Sequence, residues 1–254
     1  MVLVVDVGNT DTKFGVFDGE ELGARWAVHS DLNRSAAEHE ALLRAMLAHH
    51  QVTGIEGAVI GSVVPALTER MAAGVRSAAG CEPLIARSQD VRVIDLAVDR
   101  PAQVGIDRVA NALAAREFYQ APAIVVDLGS VTTFDIVNAA GSLAGVIITL
   151  GMQNTARALT AAGAQLPSID LARPARLVGT ETTGSMQSGV YWGYVRMVRG
   201  LLEQLQSELG GDYRAIATGG QAPVVVEDVG LFEIVDLDLT LRGLWLIQQA
   251  EAAA

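Results

Sequence analysis

The chain has 254 residues, half of them hydrophobic, with 19% charged and a formal net charge of -11, so it can bury a large core in one big domain or two ordinary ones and carries no basic surplus for gripping nucleic acid or an anionic membrane. Cys81 is the only cysteine, which excludes an internal disulfide framework and a cysteine-rich metal site. No apolar run reaches the ~18 residues of a membrane span and the first residues lack an export pattern, so the expected location is the cytoplasm.

The first element is a buried-type strand, Val2-Leu-Val-Val-Asp6, running into Val7-Gly8-Asn9-Thr10. An Asp-x-Gly turn after a strand offers a carboxylate for Mg2+, a glycine that lets backbone approach phosphate, and side-chain donors. Lys13 follows, either as a point charge for a phosphate or as a solvated strand-edge lysine. A helix is expected over Ala36 to His50 and another over Ala66 to Ala79. Between them lies an apolar strand that stops at Gly61-Ser62-Val-Val-Pro65. Alternating Val91, Val93, Asp95, Ala97 and Asp99 predict a strand within 89–100, ended by Pro101. Gly105-Ile106-Asp107-Arg108 then opens a helix predicted over Arg108 to Phe118. There a carboxylate is stabilised by the helix dipole and an arginine can fork onto a substrate carboxylate; a plain N-terminal cap with a surface charge is the alternative.

The second half repeats the first. Ala123-Ile-Val-Val-Asp127-Leu-Gly129-Ser130-Val131-Thr132-Thr133 echoes the opening strand and turn, and Arg214-Ala-Ile-Ala-Thr218-Gly219-Gly220 echoes residues 57–65. An isolated Asp-x-Gly reads as an ordinary strand-to-turn transition; two copies at matching strand ends read as a duplicated α/β unit whose turns grip a polyphosphate. The expected lobes are 1–120 and 121–254, meeting along a cleft, with the last helix packing back on the first lobe. Helices are expected over Gly189 to Leu209 and Leu241 to Ala253. The four histidines, His29, His39, His49 and His50, lack metal-ligand spacing and read as surface residues. Trp26, Trp192 and Trp245 read as core fillers. Neither a Walker-type Gly-x-x-x-x-Gly-Lys-Ser/Thr motif nor a Gly-x-Gly-x-x-Gly fingerprint is present, which removes the main support for a P-loop or Rossmann site.

In order along the chain stand Asp6-Val-Gly-Asn-Thr10, Gly61-Ser-Val-Val-Pro65, Pro101-Ala-Gln-Val-Gly-Ile-Asp-Arg108 with Asn111 and Ala115, Asp127-Leu-Gly-Ser-Val-Thr-Thr-Phe-Asp135, Ser185-Met-Gln-Ser-Gly189, Ala217-Thr-Gly-Gly220 and Leu239-Thr-Leu-Arg-Gly-Leu244. This series resembles the type III pantothenate kinases, of the acetate and sugar kinase, heat-shock 70 and actin superfamily. The resemblance implies a duplicated actin-like, ribonuclease H-like α/β fold and ATP-dependent phosphorylation of pantothenate to 4'-phosphopantothenate, the first step of coenzyme A biosynthesis. It implies Asp107 as general base on the substrate hydroxyl, Arg108 at the pantothenate carboxylate, and Gly105, Ile106 and Val98 among the substrate-binding residues. Asp6 would act through Mg2+, and Asp127 would serve a monovalent cation, K+ or NH4+. ATP would be held by Asp6, Val7, Gly8, Asn9, Thr10, Lys13, Gly129, Ser130, Thr132, Thr133, Thr218, Gly219 and Gly220. Thr182 would reach pantothenate from the neighbouring subunit of a homodimer.

Four positions depart from the family pattern. Val98 stands where the family has a tyrosine packing on pantothenate, Thr180 replaces a lysine, and Val146 and Leu150 replace glycine and proline near the nucleotide. These departures motivate two alternatives: a non-catalytic accessory member of the fold, or a kinase for another small hydroxy acid.

Overall fold

A computed structural model of the protein describes residues 1–163 and 166–252. It divides into two compact units, residues 1–118 together with the C-terminal stretch from Leu239, and residues 119–238.

The first unit is a five-stranded sheet of order β3-β2-β1-β4-β5, formed by β1 (Val2–Val7), β2 (Asp11–Asp18), β3 (Glu21–His29), β4 (Gly57–Ser62) and β5 (Pro83–Ala86). Strand β1 pairs antiparallel with β2 and parallel with β4. Residues 3, 5 and 7 of β1 face helices α1 (Ala36–His49) and α2 (Pro65–Ala79), forming one core with Phe14, Leu43, Ile60, Leu67 and Met71. By the two-residue period of a strand, Val4 and Asp6 leave the opposite face. That face is covered by α3 (Ile106–Ala114) and α7 (Leu239–Ala252): Leu244 of α7 lies directly over Gly61, the parallel partner of Asp6. Helix α1 opens on a capping box in which Ser35 and Glu38 satisfy each other's backbone donors.

The second unit repeats this plan in β10-β9-β6-β7-β8, with β6 (Ala123–Leu128), β7 (Val131–Val137), β8 (Leu143–Leu150), β9 (Arg214–Thr218) and β10 (Ile234–Val235). Again the central strand pairs antiparallel with the strand after it and parallel with the strand that follows the crossover. Helices α4 (Met152–Ala162), α5 (Thr182–Leu209) and α6 (Ala222–Val229) cover one face, and Ile124, Val126, Leu128 and Phe134 bury against Met152, Tyr191, Tyr194, Val198 and Val225. None of the helices, among the described residues, is long and apolar enough to cross a membrane.

Several boundaries differ from the sequence reading. The strand predicted within 89–100 is absent: the segment is irregular, with Val91 and Ile94 buried at a three-residue spacing and the Val93 carbonyl accepting from Arg116. Alternation there did not reflect a sheet face. Helix α3 starts two residues early, at Ile106, and ends at Ala114; the last predicted residues, 115–118, fall in a π-helix, Ala115–Tyr119. Helix α5 starts seven residues early because the Glu181 carboxylate caps it, accepting from the backbone of Thr183 and Gly184. Helix α7 begins at Leu239 and runs to Ala252; Ala253 lies outside the described residues. His39 is not a surface residue, since it is 2% exposed on the inner side of α1 with both ring nitrogens lacking a hydrogen-bond partner. Trp245 is buried, and Trp26 and Trp192 are partly buried.

Candidate active site

The β1–β2 turn of the first unit is tied down by backbone and by the end of β3. Gly8 donates its N–H to the Asp11 carbonyl at 3.1 Å, and Ser30 donates to the Gly8 carbonyl at 2.7 Å and shares a 2.9 Å hydrogen bond with buried Thr12. This holds Asn9 exposed at the tip, with Gly8 and Thr10 partly exposed on either side. The antiparallel register sets Lys13 opposite Asp6, so both side chains leave the face covered by α3 and α7. Val7, by contrast, is fully buried among the α1 and α2 side chains, leaving its backbone as the only part available to a ligand.

Helix α3 packs against α7, with Gly243 close against Ala110. A short 3-10 turn, Pro101–Gln103, leads to Gly105, the N-cap in extended conformation. A Cβ at residue 105 would run into the side chains of Asp107 and Arg108, which fold back over it. Arg108 donates to Asp107 Oδ1 twice, through its backbone N at 3.0 Å and Nη1 at 2.9 Å. Both side chains are largely buried, at 16% and 24% exposure, and Arg108 Nε is buried without a hydrogen-bond partner. The pair therefore uses one carboxylate oxygen and leaves Oδ2 outside these two bonds. Burial removes the water that would screen it, and the helix N-terminus favours the carboxylate. One turn on, buried Asn111 accepts from Thr240 of α7 at 2.8 Å, which seats α3. Ile106 packs inward, whereas Val98 is half-buried in the irregular segment.

In the second unit Asp127 pairs with Thr133 across β7 and with Thr218 across β9, so these three side chains share the face opposite α4, α5 and α6. The Thr218 hydroxyl is buried without a hydrogen-bond partner. Gly219 sits at φ +90, and a Cβ there would run into the Asp127 carboxylate and the Leu128 backbone. The Gln221 N–H holds the Leu128 carbonyl at 2.8 Å. Thr132 faces the other way: it is fully buried and its hydroxyl lies 2.5 Å from that of Tyr194 on α5. Burial, with the nearby Asp127 charge, pushes the Tyr194 phenol up to about 12. Sequence reading missed Tyr194, which looks like one more core aromatic, and Asn154, whose Nδ2 donates to the Ser130 carbonyl at 2.8 Å.

The Ser185–Gly189 stretch turns out to be the first two turns of α5. Its polar side chains hold the segment before the helix: Ser185 donates to the Glu181 carbonyl, Gln187 to the Asp170 carbonyl, and Ser188 to the Leu177 carbonyl at 2.5 Å. Met186 packs inward. Thr182 stands exposed at the first residue of the helix.

The oxygen-only donor sets suit hard cations. Asp127 and the Thr218 hydroxyl, which has no hydrogen-bond partner, are neighbouring oxygen donors that could hold a monovalent cation. Asp6 fits Mg2+, which takes one or two carboxylates and completes its shell with phosphate and water. No group of three or more His, Cys, Asp or Glu residues, among the described ones, forms a protein-only metal cage.

The family model described as type III pantothenate kinase matches residues 2–204. A type III pantothenate kinase of Acidiphilium cryptum is 41% identical over 249 residues, covering 97% of this chain and 94% of the relative. One from Rhodospirillum centenum is 40% identical over 260 residues and covers 100% of both chains. Among solved structures, the activator of 2-hydroxyisocaproyl-CoA dehydratase from Clostridium difficile with bound ADPNP aligns over 99% of this chain and 96% of its own (TM-score 0.56, 12% identity). A ROK family glucokinase from Streptomyces griseus in complex with glucose and AMPPNP aligns over 98% and 99% (TM-score 0.54, 14% identity). At these identities the two structures establish a shared actin-like fold.

Proposed function

The chain belongs to the type III pantothenate kinase family, and from that premise we propose how its own residues carry out ATP-dependent phosphorylation of pantothenate, which commits it to coenzyme A biosynthesis. The observation that carries the reading is the Asp107–Arg108 pair on the Gly105 cap of α3.

Arg108 binds the pantothenate carboxylate through the guanidinium N–H groups not given to Asp107, a charge-assisted contact strengthened by burial. Asp107 orients the substrate hydroxyl and takes its proton on Oδ2, the oxygen that Arg108 leaves unused. ATP supplies the phosphoryl group, and Mg2+, held through Asp6, would supply charge neutralisation at the phosphate oxygens. On the first unit, Asp6, Gly8, Asn9, Thr10 and Lys13 would hold Mg2+ and offer phosphate donors. On the second, Gly129, Ser130, Thr133, Thr218, Gly219 and Gly220 would offer phosphate donors and close backbone approach, and Asp127 would hold K+ or NH4+. Most of the rate arises from this positioning and charge neutralisation. Thr182 contacts pantothenate bound to a second copy, which makes the working form a homodimer in the cytoplasm.

The test is a coupled ADP-release assay across pantothenate and a panel of small hydroxy acids, with potassium or ammonium present. Turnover with pantothenate at the highest kcat/KM supports the reading. Turnover only with another hydroxy acid assigns a different substrate, which the half-buried Val98 in place of an aromatic would explain; nucleotide binding without any turnover makes the protein an accessory member.

A further inference from the structure

The β6–β7 turn is clamped from two sides by residues that no motif named. On one side the Ser130 carbonyl accepts twice, from the Gly151 N–H at 3.1 Å and from Asn154 Nδ2 at 2.8 Å, both at the start of α4. On the other, the fully buried Thr132 hydroxyl is bonded to the Tyr194 hydroxyl at 2.5 Å, from α5. Residue 151 has no room for a Cβ, because the Gly129 and Ser130 backbone lies against it. Tyr194 is 4% exposed in a core whose other members here are mostly aliphatic. Phenylalanine would fill the same space without a polar atom to satisfy, so the hydroxyl's presence calls for a role.

We propose that Asn154 and Tyr194 are positioning residues for nucleotide binding, a proposal that rests on the reading of the β6–β7 turn as a phosphate contact. A free peptide turn can rotate its carbonyl into the mouth of an anion site, where the oxygen repels phosphate. Two donors on the Ser130 carbonyl occupy both of its lone pairs and hold it towards α4, turned from that role. The Tyr194 hydroxyl fixes the strand two residues further on, so the turn is anchored before and after Val131. A turn anchored in this way binds phosphate without first losing conformational freedom, which is how preorganisation raises affinity. Neither residue touches the nucleotide. Asn154 is only partly buried, so its replacement leaves the fold intact.

The experiment is calorimetric titration of the wild type, Asn154→Leu, Tyr194→Phe and the double variant with an ATP analogue plus Mg2+, and separately with pantothenate. Asn154→Leu keeps the approximate shape and removes the donor without adding a charge. Each single variant is expected to weaken nucleotide binding about threefold to tenfold, the loss of one hydrogen bond, while pantothenate affinity stays within about twofold. The double variant is expected to lose less than the product, because both clamps act on one turn. In steady state the effect falls on KM for ATP, with kcat at saturating ATP held. Wild-type nucleotide affinity in both single variants, alongside lost affinity in Asp127→Asn, overturns the inference and leaves the phosphate reading standing. Equal losses for nucleotide and pantothenate overturn it too, since they signal general loosening. A wild type that binds no Mg-nucleotide overturns the phosphate reading and the inference together.

Discussion

Replacing Gly219 by alanine tests the second unit's candidate site where its backbone lies beside Asp127. The backbone there sits at φ +90, and an added Cβ would collide with the Asp127 carboxylate and with the backbone of Leu128. A left-handed conformation costs a non-glycine residue about 1–2 kcal/mol, and forcing a methyl into filled space costs about 1–3 kcal/mol more. A total of about 3 kcal/mol lowers the melting temperature of a protein this size by about 6–12 °C. The carboxylate must also move, which would disturb the nucleotide and cation site proposed for this turn. Gly220 supplies the control: it has no positive φ, and nothing lies within 4 Å of where a Cβ would stand, so Gly220→Ala should melt within about 2 °C of wild type, the spread of ordinary surface changes. The assay is differential scanning fluorimetry with and without nucleotide, Mg2+ and KCl. Equal melting temperatures and equal ligand-induced shifts for Gly219→Ala and wild type would refute the reasoning.

His39 should make the first unit acid-sensitive. Burial, chiefly, holds its imidazole below the ordinary 6.5, with Arg34 and Arg70 lowering it further and Glu38 and Asp31 opposing. The unfolded chain therefore binds the proton more readily; stability is full above about pH 6.5 and drains as pH falls towards the depressed value. Urea midpoints at pH 7.5 and 5.5 should differ less in His39→Leu than in wild type. Ser188→Ala removes the 2.5 Å hydrogen bond to the Leu177 carbonyl, a loss of about 1 kcal/mol, and should speed proteolytic cleavage of the 166–181 segment with little change in melting temperature.

The duplicated plan was legible because it is written in strand ends: Asp6 and Asp127 fall at equivalent places in two sheets of the same strand order. That a helix opens at Gly105-Ile106-Asp107-Arg108 was legible, although its first residue, Ile106, lies two before the predicted start. What stayed hidden depends on tertiary contact. The true start of α5 lay among glycines and serines that read as loop until the Glu181 carboxylate capped them. The alternation near Val91 mimicked a strand while the segment was held by a distant arginine. His39, Asn154 and Tyr194 carry no sequence signature, because burial or a partner far along the chain gives each its meaning.

The most direct measurement of the central claim is kcat for Asp107→Asn with pantothenate and ATP, taken beside pantothenate affinity for the same variant. A general base at this position predicts that kcat falls about a hundredfold or more while pantothenate stays bound through Arg108. An unchanged kcat would contradict it.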